Sequence, residues 1–99
     1  MAEKKETTFK KRIRPSLDAL PRSWWVKVQQ VGIRGTPDIL GCVNGHFVAL
    51  ELKASKTSDA EPLQAYTLRK VDEAGGVAFV VTPENWNEVY RELCFMSHK

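Results

Sequence analysis

Three charged residues stand where packing residues belong. In the stretch IRGTPDILGCVNGHFVALELKAS, residues 33–55, Asp38, Glu51 and Lys53 interrupt two otherwise apolar, strand-like runs. Two carboxylates and an ammonium are the parts of a hard-cation site. Carboxylate oxygens suit Mg²⁺ or Mn²⁺, and a neighbouring lysine can orient or deprotonate a water, or offset charge building on a phosphoryl group. The competing reading makes Glu51 and Lys53 solvated residues of an amphipathic strand, with Asp38 merely opening a strand after Pro37.

The residues between them decide whether the three can meet. Asn44-Gly45 is the strongest short-range signal for a two-residue hairpin turn. With these as the loop residues, Val43 faces His46, Leu40 faces Ala49, and Asp38 falls opposite Glu51. Cross-strand neighbours on one face have Cβ atoms roughly 4.5–5.5 Å apart. Phe47, Ala49, Glu51 and Lys53 share a face, and Val48, Leu50, Leu52 and Ala54 share the other. Like charges set opposite each other destabilise a sheet and raise a carboxylate pKa. A divalent cation removes that penalty, and surface decoration would not require the pairing. Leu52 points to the other face but can offer its backbone carbonyl.

Stepping outward, the elements that must hold this hairpin are readable. Thr7 or Thr8 can cap a first helix with the apolar stripe Phe9, Ile13, Leu17 and Leu20, which Pro15 is expected to kink or split. WWVKV, residues 24–28, reads as a strand, followed by a loop marked by Gly32 and Gly35. Strands over 38–43 and 46–53 follow. Pro62 opens a helix that Gly75-Gly76 stops, VAFVV over 77–81 is a buried strand, and Thr82-Pro83-Glu84 caps a last helix with Trp86, Val89, Tyr90 and Leu93 on its apolar face. The fold class is α/β, a four-stranded mixed sheet flanked by helices in the order α-β-β-β-α-β-α, with a right-handed parallel crossover through the second helix.

At 99 residues the chain is expected to form a single domain over 1–99, with 1–5 a flexible tail and 95–99 frayed. Nine Lys or Arg against three acids in residues 1–34, then six against nine in 35–99, make a basic first third and an acidic remainder. This suits a polyanion-binding part joined to a carboxylate-bearing one, the competing reading being a solubilising basic tail. Lys10, Lys11, Arg12, Arg14, Lys27 and Arg34 are the candidate phosphate contacts, Arg34 first among them, with Arg22, Lys56 and Arg69 as further candidates; each taken singly also reads as a solvated surface residue. No apolar run approaches the ~18 residues of a membrane span. Cys42 and Cys94 suggest neither a disulfide framework nor a zinc knuckle, so a reducing, cytoplasmic location is expected.

A third acid would complete the shell. Glu6 extends the inward stripe of the first helix and is preferred, with Glu3 and Asp18 competing. Gln64, in the first turn of the second helix, can meet the site or a bound strand, or be an ordinary exposed glutamine. His46, at the far end of the hairpin, and His98, near the terminus, support no histidine-based site. Of Trp24 and Trp25, one is expected in the core and the other at a helix, an interface or a base.

Gly35, Pro37-Asp38, Glu51-Leu52-Lys53 and Gln64, with the hairpin between, the Gly75-Gly76 pair and the element order, resemble the signature of the PD-(D/E)XK nuclease superfamily and its restriction-endonuclease-like fold. The pattern is most similar to the stand-alone virus-type replication-repair nuclease (VRR-NUC) domains of phages and bacteria, over about residues 6–93. The resemblance implies Mg²⁺- or Mn²⁺-dependent hydrolysis of DNA phosphodiesters. Asp38, Glu51, the Leu52 carbonyl and Glu6 would form the metal shell, Lys53 would assist the attacking water, and Gln64 would match the glutamine of the following helix. It further implies a homodimer acting on branched DNA such as four-way (Holliday) junctions. The last helix and the Trp24-Trp25 strand are the expected dimer contacts. Cleavage of linear or flapped DNA without junction preference, or a non-catalytic DNA-binding module of the same fold, are the alternatives.

Overall fold

The computed structural model describes residues 2–28, 35–54 and 62–98, and their side chains from Thr8 onward. The elements are α1 (Ala2–Asp18), β1 (Ser23–Lys27), β2 (Ile39–Val43), β3 (His46–Leu52), α2 (Pro62–Glu73), β4 (Val77–Val81) and α3 (Trp86–Ser97). The strands form one sheet in the order β1-β2-β3-β4, antiparallel except for the parallel β3–β4 pair. This is the α-β-β-β-α-β-α order expected of a restriction-endonuclease-like core. Among the described residues no helix is long and apolar enough to cross a membrane.

The turn chemistry sets the register. Asn44 and Gly45 both adopt positive φ, 48° and 87°, as a type I′ turn requires. Val43 therefore faces His46 and Leu40 faces Ala49. The Asn44 side-chain Nδ2 also donates to the Met96 carbonyl at 3.2 Å, which ties the turn to the end of α3.

One face of the sheet carries the main core. Phe9, Ile13, Leu17 and Leu20 from α1 and just after it, with Val89 and Leu93 from α3, pack against Trp25, Ile39, Val43, Val48, Leu50, Leu52 and Val81. The α1 stripe is therefore the buried one that its three-and-four spacing predicts. Pro15 neither splits nor ends α1: the helix runs unbroken to Asp18. Its ring lies on the exposed side, where water can serve the carbonyl that loses an N–H partner. Trp25 is 5% exposed and Trp24 66%, the alternation expected of neighbours in a strand. The Trp25 ring lies over Gly41, its partner on β2, so closely that a Cβ there would come within 2.3 Å of the ring.

The other face takes α2. Ala49 and Glu51 are buried on it, so β3 is covered on both sides from Val48 to Leu52. Gly35 has φ of 82°, and a Cβ on it would meet the Leu63 carbonyl at 2.8 Å. The loop before Asp38 and the first turn of α2 thus approach more closely than any side chain would permit.

Residues 95–97 belong to α3, where Ser97 is buried and its hydroxyl donates to the Cys94 carbonyl at 2.7 Å. α1 starts at Ala2. The start of α3 is organised differently from the expected cap. Thr82 N donates to Asn85 Oδ1 at 2.8 Å and Asn85 N to Thr82 Oγ1 at 3.2 Å, so Thr82 and Asn85 close the turn that leads into the helix.

Candidate active site

Asp38 precedes β2 and Glu51 lies next to last in β3, one step beyond the paired Ile39 and Leu50. The register that the Asn44-Gly45 turn imposes therefore brings both carboxylates to the same end of the hairpin. Asp38 extends the sheet in two ways. Its carbonyl accepts from Val28 N at 2.9 Å, and its Oδ2 accepts from Leu52 N at 2.8 Å. The side chain thus serves as a strand partner where the β2–β3 ladder ends.

Glu51 is only 2% exposed. Burial, reinforced by repulsion from Asp38 and partly offset by Lys53, pushes its carboxyl pKa up from 4.5 to about 7. Its Oε2 lies 3.3 Å from Lys53 Nζ, and its Oε1 is buried and has no hydrogen-bond partner among the described residues. A buried polar atom without a partner costs stability unless something else satisfies it.

Lys53 follows β3 directly, and its amide donates to the Val81 carbonyl at 2.8 Å. Its side chain returns to the face of Glu51 and donates to Gln64 Oε1 at 3.2 Å. Gln64 reaches this point because Pro62 starts α2 two residues before it and Gly35 lets that first turn settle close. Asp38, Glu51, Lys53 and Gln64 converge from three segments of chain.

The basic candidates divide. Lys10, Lys11, Arg14 and Lys27 line an open pocket that also borders Asp38 and Leu52. Lys10 pairs with Asp38 Oδ1 at 3.2 Å. Arg14 is fixed by Asp18, with Nε 3.1 Å from Oδ1, and by the Trp25 carbonyl, which accepts from its Nη2 at 3.1 Å. Arg12 stands apart from this pocket, its guanidinium 5.4 Å from the centre of the Phe9 ring. Arg69 lies over Tyr66 on α2. Arg34 and Lys56 lie outside the described residues, as do the side chains of Glu6 and of its competitor Glu3. Asp18, the other competing acid, is occupied by Arg14.

Two relationships are absent from the sequence-based reading: the Lys10–Asp38 ion pair and the use of Asp38 as acceptor for the Leu52 amide. The first had a signal. Lys10 is three residues before Ile13 and seven before Leu17, so it flanks the buried stripe and its ammonium can reach across to the sheet.

Chemically, Asp38, Glu51 and the Leu52 carbonyl are the donors that could hold a hard divalent cation, and the orphaned Glu51 Oε1 fits one. Among the described residues no group of three or more His, Cys, Asp or Glu side chains converges on one point. Compared with protein-family models, with curated proteins and with solved structures, the chain matches none.

Proposed function

We propose that the protein is a Mg²⁺- or Mn²⁺-dependent nuclease that hydrolyses DNA phosphodiesters, of the PD-(D/E)XK type and most similar to a stand-alone VRR-NUC domain. The observation that carries this reading is the buried Glu51 carboxylate, with one oxygen unpartnered among the described residues, beside Asp38 and against Lys53. Such an arrangement is costly without a cation and useful with one.

Asp38, Glu51 and the Leu52 carbonyl are the proposed ligands, and Glu6 the proposed further acid. The cation, when bound, supplies Lewis-acid polarisation of the phosphoryl oxygen and a water of lowered pKa. Lys53 orients the attacking water and offsets charge on the phosphoryl oxygens, since its ammonium is held between Glu51 and Gln64 rather than left to sample rotamers. Gln64 is a positioning residue for that ammonium. The pocket cations offset the repulsion between DNA and the site carboxylates.

The proposed substrate is branched DNA such as a four-way junction, and the proposed assembly a homodimer presenting one site to each of two strands. The contact proposed for that dimer is the open half of the sheet. Trp24, Cys42 and Phe47 are cross-strand partners in one exposed row, with Val26 beside them. A second copy packing its own row there would cover an apolar strip that α2 leaves uncovered.

The test is cleavage of linear, flap and four-way DNAs with Mg²⁺, Mn²⁺ or EDTA. Metal-dependent cleavage of the four-way DNA in preference to the others is expected. Equal cleavage of all three would retain the nuclease and remove the junction preference. No cleavage by folded protein under either metal would leave a DNA-binding module.

A further inference from the structure

Both oxygens of Asp38 are engaged, and by unlike partners. Oδ2 accepts from the Leu52 amide at 2.8 Å, a bond that orients the carboxylate without opposing a cation. Oδ1 faces Lys10 Nζ at 3.2 Å. A divalent cation approaching that oxygen meets a like charge close to the position it must occupy. Glu51 is prepared in the opposite sense, with Oε1 buried and, among the described residues, unpartnered.

Lys10 belongs to α1, 28 residues from Asp38 in sequence. Its side chain is about one third exposed, at 32%, and it lines the same open pocket as Lys11, Arg14 and Lys27. Arg14 is held by Asp18 and the Trp25 carbonyl, so its charge stays on the pocket wall. This recess is lined by four cationic side chains, is bordered by Asp38 and is open to solvent. A phosphate oxygen entering it would be a competing acceptor for the Lys10 ammonium, within reach of a flexible four-carbon stem.

We infer that Lys10 is a displaceable counter-cation of Asp38: a DNA phosphate seated in the pocket of Lys10, Lys11, Arg14 and Lys27 draws the ammonium away and opens Asp38 to the divalent cation. The inference rests on the metal-dependent reading proposed above and adds a regulation of that site. Metal and DNA then bind cooperatively through one side chain, and the coupling is reciprocal. Without DNA the carboxylate remains neutralised by Lys10, and the protein holds metal weakly.

The test is calorimetric titration of Mn²⁺ into DNA-free wild-type protein and into the Lys10→Met, Lys10→Gln and Lys70→Met variants, each checked for folding by circular dichroism. Loss of the ammonium at residue 10 is expected to tighten Mn²⁺ binding about fivefold, while Lys70→Met, which removes a charge elsewhere, stays within about twofold of wild type. Anisotropy of a labelled four-way DNA supplies a second readout. Ca²⁺ tightens DNA binding relative to EDTA by a larger factor in wild type than in either residue-10 variant. Mn²⁺ affinity unchanged or weakened in both residue-10 variants, with binding abolished in a Glu51→Gln variant titrated alongside, overturns the role of Lys10 and leaves the metal centre standing. Absence of Mn²⁺ binding in every protein overturns the metal centre and this inference together.

Discussion

Lys53 Nζ stands 3.3 Å from Glu51 Oε2, and the same ammonium donates to Gln64 Oε1 at 3.2 Å. One cation thus links the end of β3 to the first turn of α2. Lys53→Met keeps the length of the stem and removes the charge. It is expected to lower the cleavage rate by roughly 10²- to 10⁴-fold with little change in DNA affinity. Single-turnover cleavage under excess protein measures the first and anisotropy the second; a variant that cleaves at the native rate removes Lys53 from the reaction.

Glu51 makes metal-free stability depend on pH with an unusual sign. Below pH 4.5 its carboxyl is protonated in both the folded and unfolded chains. Between 4.5 and about 7 the unfolded chain has released the proton that the folded chain still holds, so this group's contribution falls as pH rises and is fully lost above about 7. The loss is on the order of 3 kcal/mol. Glu51→Gln should therefore be the more stable protein at pH 8 in EDTA, and the two should converge toward pH 4. Urea unfolding at both pH values measures this, and parallel pH profiles would sink the prediction.

Asp38 has a structural and a chemical duty that different substitutions separate. Asp38→Asn retains an acceptor for the Leu52 amide, whereas Asp38→Ala leaves that amide without one at a cost of about 1–3 kcal/mol. Both should abolish cleavage. Thermal melts should rank Asp38→Ala below Asp38→Asn; equal melting temperatures would mean that the bond to Leu52 contributes nothing.

The strand that carries Asp38 into place depends on Gly41. An added Cβ would approach the Trp25 ring to 2.3 Å and the Trp24 carbonyl to 2.6 Å, and backbone cannot move aside cheaply. Gly41→Ala is expected to destabilise the protein by about 2 kcal/mol or more. Denaturant midpoints test this, and an unchanged midpoint would show that β1 can shift.

The proposed dimer contact predicts that Trp24→Ser lowers the sedimentation coefficient from that of a dimer to that of a monomer while the circular dichroism spectrum persists. Trp24 is 66% exposed in the single chain, so its loss removes little internal packing. A Trp24→Ser protein that still sediments as a dimer would move the contact to another surface.

Much of this arrangement was legible along the chain because it is local. Two residues, Asn44 and Gly45, fix the turn, the turn fixes the β2–β3 register, and the register carries Asp38 to Glu51 with Lys53 one strand period beyond. The opposed burial of Trp24 and Trp25 follows from strand alternation in the same way. Pro15 does not split α1: it sits on the exposed side, where water can serve the carbonyl that loses an N–H partner.

Tertiary packing decided the rest. That Lys10 pairs with Asp38 across 28 residues depends on where α1 settles against β1, which the buried stripe constrains only as a face. Gln64 meets Lys53 because α2 docks closely at Gly35. The raised pKa of Glu51 comes first from burial, once α2 covers the second face of β3, and only then from the neighbouring carboxylate that the hairpin supplies. Hydrogen-bonded register is set by short-range geometry, whereas the placement of a helix over a sheet is set by the whole core. Sequence alone therefore brought the two carboxylates together, and the packed fold determined which cations attend them.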